Sequence, residues 1–434
     1  MLFLPEYYGI EFSYSLPVLT VARIMFVVLF IYAILNRRRP LSLKGIHIKT
    51  LPLQYKLLTG YFLFRIVSNI YYLTTYSSAI KTIFEIVFEQ FFLLYAIYLL
   101  APTKEEINTL IKAVVWVSCF MFIIGIFESL TSIRPFDALF TVTRPMANQH
   151  FIRLGLMRST TTMGLCVLYG NMCLLIFPLI VYLYNTTGQR RYLSVVFFDI
   201  LATIHSGSRA DLLFFFVIVF FYFIIIVCKS KKYREFFINT LAIIGVLILT
   251  MTTLSLCSDK YRYYYTGTIK STLNEIGFDF DLTQGMPEGV DGFGSNDDNG
   301  TASRTVQFTG MAYVASINPI FGLGSQPLSR EAVYYYSDGK WHIAKAFDVG
   351  IVEVFCSEGL IGIIAHLLLY ISLLLPLIKK RGIKNMPLCY RYSLLSILTY
   401  LVCMLCTANM YYFLFLYVIL NNSAVSIIES ETDH

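Results

Sequence analysis

Charge is what this 434-residue chain has least of: 14% of its side chains are charged, where a soluble domain carries about 25%. That shortage excludes the two or three soluble domains that such a length suggests at roughly 150 residues each. Polar–apolar alternation of the kind a barrel strand needs is missing as well, which argues against a membrane β-barrel. No cleavable signal peptide precedes the first apolar run, so the N-terminus is expected to be retained. No internal repeat is visible either. The 9 cysteines fall mostly in or beside apolar runs, where a thiol packs as a small apolar group, and they offer no disulfide framework.

What the chain does have is apolar length. Hydrophobic residues make up 57% of it, and the mean hydropathy is +0.65. They come in long runs, many near the roughly 20 residues that cross about 30 Å of hydrocarbon as a helix. The expected fold is an all-α polytopic membrane protein with about eleven transmembrane helices and one long, partly helical extracytoplasmic loop. The spans read as Leu16–Leu35, Tyr55–Leu73, Ile80–Leu100, Ala113–Leu130, Gly164–Leu183, Leu193–Ile204, Leu212–Val227, Ile238–Leu256, Val349–Ile378, Leu394–Met404 and Met410–Leu420. The sixth is short and the ninth long, so a break or a tilt is expected there.

Basic residues orient the spans. Arg37, Arg38, Arg39, Lys44 and Lys49 follow the first span, and further clusters stand at Arg190–Arg191, Lys229–Arg234 and Lys379–Lys384. With these spans every cluster falls on one side, and short basic loops stay cytoplasmic. Residues 1–257 then hold eight spans and an outer loop over 131–163. Residues 258–348 form a large extracytoplasmic loop, and 349–434 the C-terminal spans and a cytoplasmic tail. Connections usually run about 2–8 residues, so a loop of that size is functional or disordered. Gly285–Gly300 reads as flexible, whereas Thr301 or Ser303 can cap a helix through Ser316 that Pro319 ends.

Arginine on the outer side is the informative signal, because that side should be poor in Lys and Arg near a span. Arg144, Arg153 and Arg158 precede the fifth span, Arg209 opens the seventh, and Arg304 opens the folded part of the long loop. Guanidinium groups bind phosphate in a fork and never lose their charge. Together these residues suggest an anion site; pairing with acids, such as Arg209 with Asp211, or snorkelling to lipid headgroups is the alternative.

The residues Ser206-Gly-Ser-Arg209, Ser303-Arg304, Asn318-Pro-Ile-Phe-Gly-Leu-Gly324, Asp348-Val-Gly350 and Glu358-Gly-Leu-Ile-Gly362 resemble the O-antigen polymerase and ligase family. These are membrane glycosyltransferases of the GT-C type. The resemblance covers about Met146–Leu375. It implies a polysaccharide polymerase of the bacterial inner membrane, acting on the periplasmic or outer face without a cofactor or metal. Donor and acceptor would both be undecaprenyl-diphosphate-linked glycans, for O-antigen, capsule or exopolysaccharide. Membrane lipid, a chain-length regulator and a flippase are the implied partners, and nucleic acid is not. Arg158, Arg209 and Arg304, with Arg153, are expected to hold the diphosphate.

Ligases of this family carry a histidine ahead of the Gly-Leu-Ile-Gly-type motif. Counting back from Gly359, that position here is Asp348, a departure that favours a polymerase over a ligase. Asp348 is the first candidate for the base that accepts the acceptor hydroxyl's proton, with Glu353 and His342 as alternatives; a helix cap is its competing role. Tyr335 and Trp341 are expected to contact sugar, whereas Tyr263–Tyr265 reads as an interfacial aromatic belt. Asp279 and Asp281 spell an Asp-x-Asp pair that reads better as an acidic loop, and Gly322-Leu-Gly324 as a turn. Arg65, Glu85, Glu89, Glu128, Asp199 and His366 put charge inside spans, with Glu85 or Glu89 able to pair with Arg65. A lipid-linked oligosaccharide flippase is the rival outside the enzymes. It fits the buried charges but normally shows repeated halves.

Overall fold

A computed structural model describes residues 8–10, 18–38, 53–139, 151–229, 233–274, 278–287, 304–337, 339–345, 347, 349–378 and 388–405. The chain divides into two compact units. One consists of Met1–Tyr8, Asn108–Asn299 and Ile383–Cys403, the other of Gly9–Ile107, Gly300–Gly382 and Met404–His434.

In the second of these units, α1 (Val21–Leu35) and α2 (Leu53–Ile70) are followed by α3 (Ser78–Glu85), which passes through a π-helical stretch at Ile86–Phe91 into α4 (Phe92–Leu100). In the first unit the helices are most of α5 (Lys104–Thr131), α6 (Cys166–Thr187), α7 (Arg191–His205), α8 (Arg209–Ile225), α9 (Arg234–Cys257) and α10 (Asp259–Asn274). The second unit also contains α11 (Arg304–Ile317) and α12 (Gly350–Ile378); α13 (Leu388–Cys403) returns to the first. Between them stand short antiparallel hairpins, one of β3 (Ile152–Arg153) with β4 (Leu156–Met157), another of β5 (Tyr334–Ser337) with β6 (Lys340–Ile343). The pair β1 (Gly9–Ile10) and β2 (Leu19–Thr20) leads into α1.

Among the described residues, five helical stretches are long and apolar enough to cross a membrane: Ser78–Leu100, Glu105–Thr131, Cys166–Thr187, Arg234–Cys257 and Gly350–Leu375. Val21–Leu35, Val306–Ile317 and Arg391–Cys403 are shorter apolar helices. The expected spans at Tyr55–Leu73, Leu193–Ile204 and Leu212–Val227 coincide with α2, α7 and α8, outside that long class, and Met410–Leu420 lies outside the described residues. The chain is a helical membrane protein. The packing fits that reading, since Cys166–Thr187 is mostly buried among its neighbours while Arg234–Cys257 leaves nearly all of its apolar surface outward.

One expectation changes and another is met. The large loop begins with a helix, α10, because Tyr263, Tyr264 and Tyr265 are buried against Leu154 and Leu156 rather than forming an interfacial belt. And the ninth span is broken: Gly359 sits at φ 63°, ψ −153°, a conformation open essentially to glycine alone.

Candidate functional site

In the first unit the site is built on the sharp turn between α7 and α8. A helix ends with unsatisfied carbonyls and a partial negative charge, and three successive carbonyls here accept from one neighbouring segment. His205 O accepts from Ser159 N at 3.1 Å, Ser206 O from Arg158 Nε at 3.1 Å, and Gly207 O from Arg153 Nη1 at 2.9 Å. Gly207 has φ +63°, and a Cβ there would come within 2.8 Å of Arg158 Cγ. The turn therefore needs glycine twice, for its backbone and for the arginine lying on it. Ser206 Oγ accepts from Ser208 N at 3.2 Å, tightening the entry to α8, whose first residue is Arg209.

The segment bearing the arginines is itself firmly held. Leu154 (φ +52°) and Gly155 (φ +80°) form the two-residue turn of the β3–β4 hairpin, and two central residues of positive φ suit a tight hairpin turn. Leu154 tolerates that conformation because its side chain packs onto Gly267 of α10, where a Cβ would sit 2.9 Å away. Beyond the hairpin, the buried Glu128 carboxylate of α5 accepts from Thr160 N and Thr161 N at 3.0 and 2.9 Å. Ser159 Oγ donates to Gly125 O. Arg158 is 7% exposed; among the described residues it has no carboxylate partner, and its Nη atoms make no hydrogen bond. Arg209 Nη1 donates to Ser271 Oγ of α10 at 3.2 Å. Burial raises the phenol pKa of Tyr264 and pushes that of Tyr265 up to about 12, so the side of α10 facing these arginines stays neutral.

In the second unit the motifs around Gly322 and Gly359 close on one another. Leu323 N and Gly324 N donate to Cys356 O and Ser357 O at 2.8 and 3.0 Å, and Leu360 N and Ile361 N donate to Pro319 O and Ile320 O at 2.9 and 3.2 Å. The turn from Pro319 to Gly324 thus satisfies the backbone groups that the break in α12 releases, as a membrane span requires. A Cβ on Gly322 would lie 2.7 Å from Gly359 N. Beside the break Glu358 is ion-paired with Arg65 of α2: Nε lies 3.0 and 3.1 Å from the two carboxylate oxygens and Nη2 2.9 Å from Oε1. Gln90 and Tyr61 add hydrogen bonds to Arg65 at 3.3 and 3.0 Å. Glu85 and Glu89 hold Arg23 of α1, where the sequence suggested Arg65. Within the π-helical stretch the neighbours Glu89 and Gln90 reach different arginines, Arg23 and Arg65.

Of the sequence-selected residues, Arg153, Arg158 and Arg209 gather at the α7–α8 turn. Arg304 opens α11 of the second unit, one turn before Gln307, whose Oε1 accepts from Val349 N at the entry to α12 at 3.2 Å. Glu353 lies in the first turn of α12, where Arg65 and Glu358 are the charges acting on it. Arg144 and Asp348 lie outside the described residues. His342 and Tyr335 are paired across the hairpin with rings 5.5 Å apart. Tyr335 and Trp341 do not share a face: strand alternation puts Trp341 with Tyr336 on one side and Tyr335 with His342 on the other. Asp281 Oδ1 accepts from Thr283 N and Oγ1 at 2.8 and 2.7 Å, which lowers the Asp281 pKa and accounts for that acid as a turn residue. Sequence reasoning missed Arg23 and Gln307 as positioning groups, and it noted Gly207 only within its motif and Glu128 and Glu358 without their partners.

Residues 194–367 match the family model Wzy_C, described as O-Antigen ligase. The matched segment, similar to that family, runs from α7 through the turn at Arg209 to the broken α12. No curated protein and no solved structure matches the chain.

Proposed function

We propose that the protein is a polysaccharide polymerase that moves a glycan from an undecaprenyl-diphosphate donor to a sugar hydroxyl of a second lipid-linked repeat, at the outer face of a bacterial inner membrane. Arg158 is the observation that carries this reading. A guanidinium group that is 7% exposed, fixed by a carbonyl through Nε and lacking a carboxylate partner among the described residues, is electrostatically incomplete until an anion arrives. Arg153 and Arg209 stand at the same turn, and the start of α8 adds the partial positive charge of a helix N-terminus.

In the transfer the acceptor oxygen bonds to C1 of the donor sugar as the C1–O bond to phosphate breaks, and the diphosphate leaves with the electron pair. Positive charge already in place at the leaving oxygens is worth most in that transition state. The hydroxyl proton passes to a base, with Asp348, Glu353 and His342 as candidates. Arg304, as a further cation, and the exposed Trp341, as a sugar contact, are assigned to the same reaction. Transfer of finished glycan to a different acceptor, the ligase reaction, is the second reading, and the description of the matching family is compatible with it.

Reconstituted protein supplied with lipid-linked oligosaccharide alone is expected to yield a ladder of longer glycans. A single product on a different acceptor would identify the ligase; lipid movement across the bilayer without transfer would identify a flippase. Arg158→Ala should lower the transfer rate about 100-fold or more, since each lost charge-assisted hydrogen bond costs about 1.5–3 kcal/mol. A wild-type rate in that variant would sink the proposal.

A further inference from the structure

α10 has two working faces. Its inner face holds the arginine site, through Gly267 under Leu154 and Ser271 on Arg209. Its outer face, with Asp259, Arg262, Thr266, Lys270 and one edge of the buried Tyr263, borders a cleft of about 580 Å³ whose opposite wall starts at Gln284. That size lies within the roughly 300–1,000 Å³ of ligand sites.

The opposite wall is built rather than merely adjacent. Asn274 at the end of α10 holds Phe280 by two hydrogen bonds, donating to its carbonyl at 2.9 Å and accepting from its N–H at 2.8 Å. Tyr263 OH donates to Leu282 O at 3.0 Å, and Met286 N to Thr283 O at 3.2 Å. The rings of Phe278 and Phe280 stack 5.8 Å apart.

The lining chemistry selects the ligand. Arg262 and Lys270 set two positive charges against the single negative charge of Asp259, which pairs with Arg262 at 2.6 Å; the balance, two minus one, is +1. Gln284 adds an amide that both donates and accepts. Tyr263, Met286 and Pro287 add apolar surface beside these groups, so the cleft offers both the polar edges and the apolar faces that sugar rings need. It suits a ligand rich in hydroxyl groups and tolerant of acidic substituents.

We propose that this cleft is a glycan subsite, which takes sugars of the lipid-linked chain beyond the one that reacts. The inference rests on the reading of the arginine turn as the diphosphate site. Ser271 and Arg262 are nine residues apart on α10, about 14 Å at the helical rise, so one helix ties the two sites together at a fixed spacing.

The test uses the full-length protein in detergent. The probe is the glycan released by mild acid from the cell's own lipid-linked pool, free of lipid and diphosphate, with binding read by saturation-transfer NMR. Thr266→Trp fills the cleft and is expected to weaken binding at least tenfold, while Thr266→Ala, which empties nothing but a methyl and a hydroxyl, keeps it. Arg158→Ala should bind this probe like wild type, because the probe carries no diphosphate. Unchanged binding in Thr266→Trp, or equal loss in both Thr266 variants, would overturn the subsite. Failure of the diphosphate reading would appear separately, as unimpaired transfer in Arg158→Ala.

Discussion

Arg158 and Arg65 are the same residue type at nearly the same exposure, 7% and 8%, and they serve opposite ends. Arg65 is neutralised by Glu358 through three contacts of 2.9–3.1 Å and supported by Gln90 and Tyr61. Arg158 rests on a carbonyl, and among the described residues no carboxylate answers its charge. A buried charge is tolerated when paired and costs several kcal/mol when it is not. The paired arginine therefore belongs to the architecture of the broken helix, and the other, in the function proposed above, to an anion supplied from outside. The lesson is that burial does not identify a functional arginine; the location of its counter-charge does.

Stability measurements separate the two most strongly. Arg65→Ala strands Glu358 beside the Gly359 break and should destabilise the protein by about 3–5 kcal/mol, visible as a large fall in the thermal midpoint of purified protein. Arg158→Ala removes a charge without stranding one, so its midpoint should stay near wild type while transfer collapses. The double variant Arg65→Met with Glu358→Leu should recover much of the lost stability. An equal fall in the two single variants would erase the distinction.

A smaller effect tests whether the turn serves the arginine or only itself. Gly207 and Gly188 both have positive φ, +63° and +68°, but a Cβ at Gly207 meets Arg158 whereas at Gly188 nothing lies within 4 Å. Alanine at either should cost about 1–2 kcal/mol for the left-handed backbone. Only Gly207→Ala should also depress transfer well beyond its stability loss, because it displaces the guanidinium. Matching transfer rates in the two variants would detach the turn from the chemistry.

The contrast between the arginines also marks what the sequence could reveal. The long apolar runs within the described residues predicted helices close to where they stand, because span length and hydrophobicity are local properties. Ser206-Gly-Ser-Arg209 was legible as a site for a similar reason, since its glycine and arginine are neighbours. The Arg65–Glu358 pair joins positions 293 residues apart, and the role of Glu128 depends on amides more than 30 residues away; no local pattern encodes either. α10 escaped notice because its polar outer face hides the buried tyrosines, so the segment reads as loop. The face assignment of Tyr335 and Trp341 needed the hairpin register, which depends on where the turn falls.

That register carries the mildest expectation. Trp341 is 54% exposed and touches Tyr313 and Tyr336 at the surface, whereas Tyr335 packs against the core around Val314, Val333 and Phe355. Trp341→Ala should therefore leave the thermal midpoint within about 0.5 kcal/mol of wild type. If its ring stacks on acceptor sugar, the apparent KM for lipid-linked acceptor should rise severalfold with kcat little changed, the signature of lost uniform binding. Tyr335→Ala should do the reverse, lowering the midpoint by about 1–3 kcal/mol through lost packing with no selective effect on KM. A rise in KM confined to Tyr335→Ala would move the sugar to the other face of the hairpin, beside His342.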